Sequence, residues 1–123
     1  MTLFPINPTE SHEQIALFEW ADWAIQRYPE LERLHAIPNG GHRNPATAAR
    51  LKKEGVKKGV PDLCLPVPRR GYHGLYIELK RPKGGTVSPD QAKFIGWLRA
   101  EGYRVEVARG FEAAREAIEE YLS

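Results

Sequence analysis

Hydrophobic and polar positions first alternate at a helical interval. Thr9 or Ser11 caps a predicted helix that runs to about Tyr28, where Pro29 follows. At about 100° per residue, Glu10, Gln14, Leu17, Phe18, Ala21, Ala24, Ile25 and Tyr28 fall in one inward stripe, with Glu13 toward its edge and Glu19 opposite. A short apolar run from Leu34 to Ile37 predicts a strand, and Pro38-Asn39-Gly40-Gly41 a turn or loop. Asn44-Pro45 has the cap-then-proline form of a helix start, and Ala46 to Glu54 keeps good helix propensity until Gly55. Asp62 to Val67 and Leu75 to Lys80 predict two strands joined by a loop that holds Gly71 and Gly74. Ser88-Pro89-Asp90-Gln91 is a capping box opening a helix that runs to Glu101 and stops at Gly102. Tyr103 to Ala108 alternates as a strand, and Phe111 to Leu122 is a last helix. This order predicts an α/β fold with a small mixed sheet flanked by helices, Asp62–Val67 and Leu75–Lys80 lying at its centre. It spans residues 1–123 as one domain, with 1–8 as a loose opening segment.

Composition leaves that picture in place, with 41% hydrophobic and 28% charged residues. The single cysteine, Cys64, excludes an internal disulfide and fits a reducing, cytoplasmic setting. No apolar run approaches the roughly 20 residues of a membrane span. Charge adds more. The net value is only +2, but Arg43, Arg50, Lys52, Lys53, Lys57 and Lys58 crowd one region, and Arg69, Arg70, Lys80, Arg81 and Lys83 another. A near-neutral chain with a polarised basic side can bind a polyanion; solvated surface lysines are the plainer account of the same residues.

Polar residues break the strand pattern at one place. Along Leu75–Lys80, Leu75, Ile77 and Leu79 face one way and Tyr76, Glu78 and Lys80 the other. If Val67 faces Leu75, then Asp62 faces Lys80 and Cys64 faces Glu78. Any register of that parity keeps Asp62, Glu78 and Lys80 on one face, and a slip of one residue sends Asp62 to the other. Two carboxylates and an amine on an inner face are costly unless they are paired or hold a cation. With the backbone carbonyl of Leu79, Asp62 and Glu78 make a hard oxygen set suited to Mg²⁺ or Mn²⁺. Such a metal polarises a phosphate oxygen and activates water, and Lys80 orients or deprotonates that water or steadies the transition state. A structural Asp–Lys–Glu cluster explains these three residues equally well. Glu10, on the inward stripe, is placed to reach the same site, although an acid at a helix start also simply favours the dipole. His12, His35, His42, His73 and Cys64 have no zinc-site spacing. Trp20 and Trp23 both fall off the centre of the inward stripe, which, if they are exposed, marks a partner surface.

The segments Ile37-Pro38-Asn39-Gly40-Gly41-His42-Arg43, Lys57-Lys58-Gly59-Val60-Pro61-Asp62, Tyr76-Ile77-Glu78-Leu79-Lys80 and Ser88-Pro89-Asp90-Gln91 follow one another in this order. Together they resemble the virus-type replication-repair nuclease domain, VRR-NUC, a branch of the PD-(D/E)xK nuclease superfamily. The Gly-Val-Pro-Asp form and the ordered set are far more specific than a lone Glu-x-Lys. The resemblance covers nearly the whole chain and implies a standalone domain of the phage or bacterial kind, with a restriction-endonuclease-like core.

The same resemblance implies that Asp62 and Glu78 hold the metal and that Lys80 assists the water. It implies a glutamate at the start of the first helix, for which Glu10, four before Gln14, is the best match and Glu13 the alternative. Gln91 matches the family's glutamine on the helix after the catalytic strand, although at its position it also serves the capping box. Small standalone members resemble Holliday-junction resolvases and pair as homodimers, which implies branched or flapped DNA as substrate and a second copy as partner. Arg43, Arg50, Lys53, Lys57 and Lys58 are the expected phosphate contacts. The rival from another class is a DNA-binding or assembly module that keeps this fold without cleaving.

Overall fold

The computed structural model describes residues 9–38 and 44–123. In chain order the elements are helix α1 (Glu10–Ala24), a 3₁₀ turn (Pro29–Arg33), strand β1 (His35–Ala36), helix α2 (Pro45–Lys53), strands β2 (Leu63–Leu65) and β3 (Leu75–Lys80), helix α3 (Pro89–Ala100), strand β4 (Arg104–Arg109) and helix α4 (Phe111–Leu122). The strands form one sheet in the order β1-β2-β3-β4. β1–β2 and β2–β3 pair antiparallel, and β3–β4 pairs parallel. The parallel pair follows from its connection: α3 crosses between the two strands, as a parallel pair requires, whereas β2 and β3 are joined by a hairpin loop. The predicted α/β class and the central placing of β2 and β3 hold.

The differences from the sequence reading lie at element ends. α1 stops at Ala24 rather than Tyr28, and Pro29 opens a separate 3₁₀ turn, because proline tolerates the first turn of a helix but not its interior. Thr9 is the α1 cap, accepting from His12 N at 3.1 Å while its own N–H donates to His12 Nδ1. β1 is shorter than the apolar run Leu34–Ile37, and β2 shorter than Asp62–Val67. The register places Leu63 opposite Ile77 and Leu65 opposite Leu75, two residues away from the pairing of Val67 with Leu75. Parity is unchanged, so no side chain switches face. Asp62, one residue before β2, stands at the level of Glu78 rather than of Lys80.

On one sheet face the two central strands are wholly apolar. Leu63, Leu65, Leu75, Ile77 and Leu79 are each at most 1% exposed and pack with Leu17 and Ala21 of α1 and Ala114, Ile118 and Tyr121 of α4. Burying a Leu or Ile side chain stabilises the fold by about 1.5–3 kcal/mol, so this row carries most of the driving force. Tyr121 sits in the same layer and keeps its hydroxyl satisfied: it donates to Val67 O at 2.6 Å and accepts from Arg69 N at 3.2 Å. The hydroxyl thus pins the start of the β2–β3 loop to the last turn of α4. The other face carries Cys64, Tyr76, Glu78 and Lys80, with α3 against it. On the free edge of β4, Arg99 Nη2 donates to Val105 O at 2.8 Å, covering a carbonyl that would otherwise invite another strand.

α1 packs on α4, and Glu13 joins the two. Gly110, the N-cap of α4 at φ +94°, has no side chain with which to cap it. The buried carboxylate of Glu13 supplies the cap instead, accepting from Phe111 N at 3.0 Å, where it also meets the positive end of the α4 dipole. A Cβ on Gly110 would lie 2.9 Å from Glu13 Oε1, so glycine is what lets the carboxylate approach.

Candidate active site

Asp62, Glu78 and Lys80 are brought together as the strand parity predicts. Asp62 Oδ2 accepts from Leu79 N at 2.8 Å, so this carboxylate takes a ladder position just beyond the end of β2 and is fixed against the backbone of β3. Glu78 is 1% and Lys80 5% exposed. Lys80 Nζ lies 3.2 Å from Glu78 Oε2. Two charged side chains this deep require partners for the rest of their polar atoms.

Gln91 supplies most of them. Its Oε1 accepts from Lys80 Nζ at 2.9 Å and from Ser88 N at 2.9 Å, and its Nε2 donates to Glu78 Oε2 at 3.0 Å. Gln91 N in turn donates to Ser88 Oγ at 3.2 Å, completing the capping box. The two roles weighed for this residue are therefore one arrangement: the amide that closes the α3 capping box also bridges the lysine and the glutamate. Ser88, whose backbone N–H donates to Gln91 Oε1 and so fixes which end of the amide turns toward Lys80, stands out in the sequence only as part of the capping box and of the fourth family-like segment.

One atom of this site is left over, as Oε2 of Glu13 is elsewhere. Glu78 Oε1 is buried and accepts no hydrogen bond. The neighbouring carboxylate of Asp62 is a second acceptor, and two acceptors need a shared proton or a cation between them. Burial, with the Asp62 charge as the next cause and against the pull of Lys80, pushes the Glu78 carboxyl up from 4.5 to about 7. The orphaned oxygen, the paired carboxylates and the Leu79 backbone fit a hard divalent cation in ligand type. Among the described residues no three His, Cys, Asp or Glu side chains come together, so the fit rests on the Asp62–Glu78 pair and not on a larger acidic cage.

A pocket of about 230 Å³ opens beside this pair, lined by Glu10, Ser11, Gln14, Ile15, Asp62 and Leu79. Of the two first-helix acids, it is Glu10 that faces the pocket. The inward stripe is corrected here: Glu13, placed at its edge from sequence, is the more deeply buried, and its carboxylate is turned to α4. Pro82-Lys83-Gly84-Gly85 borders the same site. A Cβ on Gly85 would lie 3.8 Å from both Glu10 Oε2 and Lys80 Cδ, and Arg109 Nη1 donates to Gly84 O and Gly85 O at 2.8 and 3.1 Å. Neither this glycine pair nor Arg109 stood out in the sequence, since the contact joins a loop to the far end of β4.

The two acids should respond oppositely to removal. Glu13→Ala leaves Phe111 N–H without a partner and should cost about 1–2 kcal/mol of stability, with the activity of the folded protein largely kept. Glu10→Ala should leave the melting temperature unchanged and lower catalytic activity at least tenfold. Thermal melts and rates of both variants check this assignment, and a Glu13→Ala protein inactive while fully folded would reverse it.

Of the expected phosphate contacts, Arg43 lies outside the described residues. Arg50, Lys53, Lys57 and Lys58 are exposed, as is Lys52. α2, which carries three of these and precedes Lys57 and Lys58, buries none of its residues. Trp23 is 74% exposed, as its place off the stripe predicts, whereas Trp20 is partly buried against the core. No helix among the described residues is long and apolar enough to cross a membrane.

Comparison with known proteins agrees with the fold. The model of the VRR-NUC domain family matches residues 12–112. A solved structure described as a VRR_NUC domain protein is similar with a TM-score of 0.76 and 31% sequence identity, over 93% of this chain and 88% of that one. No curated protein matches the sequence.

Proposed function

The chain belongs to the VRR-NUC family of nuclease domains, and from that membership and the site's chemistry we propose that it is a metal-dependent endonuclease that hydrolyses phosphodiester bonds in DNA. The observation that carries this reading is the buried, orphaned oxygen of Glu78 beside Asp62. Asp62 and Glu78 are two acceptors side by side, so they share either a proton or a cation, and the chemistry of a nuclease domain favours the cation.

Asp62, Glu78 and the Leu79 carbonyl are the groups that would hold Mg²⁺ or Mn²⁺, with Glu10 placed to contribute from the pocket. A divalent cation at that position supplies positive charge that draws electron density from a phosphate oxygen and favours loss of a proton from the attacking water. Lys80 then has a defined task. Its ammonium is held by Gln91 Oε1 and Glu78 Oε2, leaving one donor to orient the water or to meet the charge that develops on the phosphate. Gln91 keeps the lysine aimed and holds Glu78 by its Oε2, so that Oε1 stays turned away from both.

Arg50, Lys53, Lys57 and Lys58 contact the backbone of the DNA, a role that Arg43 shares on the strength of the sequence alone. Such contacts fix position without reading sequence. The substrate we assign is branched or flapped DNA, cut by a homodimer in the reducing cytoplasm. Support for the pairing comes from α1, where Ile15 and Trp23 stand exposed two turns apart on one helix face.

The test incubates the protein with linear duplex, flap and four-way-junction DNA in the presence of Mg²⁺, Mn²⁺ or EDTA. We expect cleavage with a metal, none with EDTA, and faster cutting of branched forms. Intact substrates under every condition, with binding retained, would identify a non-cleaving module.

A further inference from the structure

We propose that Gly59 is a positioning residue of the site: by allowing the segment before Asp62 to lie directly on the first turn of α3, it sets where Gln91 stands relative to Glu78 and Lys80.

Gly59 has φ +85°, a backbone region that residues with a Cβ rarely adopt. Conformation alone does not single it out, because Gly55 in the same segment has φ +102°. The two differ in what surrounds them. A Cβ at Gly55 would meet nothing within 4 Å, whereas a Cβ at Gly59 would lie 2.4 Å from Asp90 O, 2.6 Å from Asp90 C and 3.0 Å from Gln91 N. All three atoms are backbone of the first α3 turn, which has no side-chain freedom with which to yield. Ordinary carbon contacts are about 3.5–4.0 Å, so a methyl group here must push the segment and the helix start apart by about 1 Å.

That turn is where the hydrogen-bond hub begins. Ser88 and Gln91 are the cap and third residue of α3, and the Gln91 amide spans to Lys80 at 2.9 Å and to Glu78 at 3.0 Å. Neither bond survives an added ångström, since donor–acceptor distances beyond about 3.5 Å are no longer hydrogen bonds. The other end of the segment is also fixed: three residues after Gly59, Asp62 is held on Leu79 N. Gly59 thus closes a short path in which one end is a carboxylate of the site and the other is the helix that orients the remaining two groups. Lys57 and Lys58 precede it directly, so the stretch that meets the DNA backbone is seated on the same turn.

The inference rests on the reading of Gln91 as part of a nuclease site, and its test includes a measurement that does not depend on cleavage. In isotope-labelled protein, the side-chain amide resonances of Gln91 should shift in Gly59→Ala and stay in place in Gly55→Ala, which shares the positive φ without the close approach. With Mn²⁺ and a DNA substrate that the wild type cuts, Gly59→Ala should lower kcat by about 10²-fold with KM little changed. On a Gln91→Ala background the same substitution should cost no more than about twofold further, because the group it acts through is already gone. Unmoved Gln91 resonances in Gly59→Ala overturn the proposal whether or not the wild type cuts DNA. So does an undiminished effect on the Gln91→Ala background, or an equal loss in Gly55→Ala. A Gly59→Ala chain that fails to fold overturns it as well, since a local displacement of one helix turn leaves the apolar face of the sheet intact. Wild-type protein that cuts nothing would instead count against the nuclease reading alone.

Discussion

Replacing Glu78 by glutamine is expected to make the protein inactive and more stable at once. Cleavage should fall by about 10³-fold or more, because a carboxylate proposed to hold the cation is replaced by a neutral amide, and several kcal/mol of transition-state stabilisation depend on that charge. The stability effect has the opposite sign. The Glu78 carboxyl is raised from 4.5 to about 7 by burial and by Asp62. The folded protein therefore holds this proton more tightly than the unfolded chain does. The stabilisation that results is fully present below pH 4.5 and is lost as the pH rises through about 7. At pH 8 without metal, the ionised carboxylate costs the folded state at most roughly 3 kcal/mol. Glutamine has the shape of the neutral acid and removes that cost at every pH. In EDTA at pH 8 the Glu78→Gln protein should therefore melt several degrees above the wild type, and at pH 4.5 the difference should vanish. Added Mn²⁺ should raise the wild-type melting temperature at pH 8 and leave that of the variant unchanged. A variant that melts lower than the wild type at pH 8 in EDTA would contradict the burial argument.

Asp62→Ala is expected to lose cleavage on a similar scale and for two reasons. One of the two carboxylates proposed to hold the cation is gone, and Leu79 N loses the acceptor at 2.8 Å that ties β3 to the residue before β2. The two contributions can be separated with Asp62→Asn. Its side-chain oxygen still accepts from Leu79 N, so stability should be close to wild type while cleavage remains lost. Asp62→Ala should melt lower by about 1 kcal/mol, the net value of an ordinary hydrogen bond. Either substitution also removes the like charge beside Glu78. That carboxyl should move back toward the usual carboxylate range without reaching it, because burial, the larger cause, persists. Titration of the Glu78 carboxyl carbon by NMR reads this directly. Cleavage by Asp62→Ala at the wild-type rate would remove Asp62 from the site even if the nuclease activity were real.

How much of this was legible in the sequence depended on the range of the interaction. The alternation in Leu75–Lys80 was enough to put Glu78 and Lys80 on one face, because the side-chain period in a strand is 2 regardless of what packs around it. Parity then brought Asp62 to the same face even though the illustrated register was displaced by two residues, since a shift of that size keeps every side chain on its side. The α3 capping box was equally plain, being local. Glu13 was misplaced for the opposite reason. A helical wheel treats an acid at the stripe edge as solvent-facing, and nothing within the helix shows that its carboxylate meets the start of another helix, at Phe111. The same holds for Gly59 and for Arg109 over Gly84 and Gly85, whose partners lie in distant segments. α1 ended early because the wheel continued through Ile25 and Tyr28, where the chain turns before Pro29 while both residues still pack on the core.

The bond between Glu13 and Phe111 N has a bearing on biosynthesis. The first helix docks on the last, and the acid that secures it waits for an amide at the far end of the chain. A ribosome emits residues in order at about 5–20 per second. While the chain is still being made, Asp62, Glu78, Lys80 and Gln91 are all available before α4 exists, but α1 has no seat for Glu13, and Glu10 is not yet held at the pocket. Contacts of such long sequence separation form late, because the loop they close is costly until both ends can pair. The nascent chain therefore carries the strand-borne charges without the assembled pocket until α4 has emerged, and the cleavage we propose would begin only after that point.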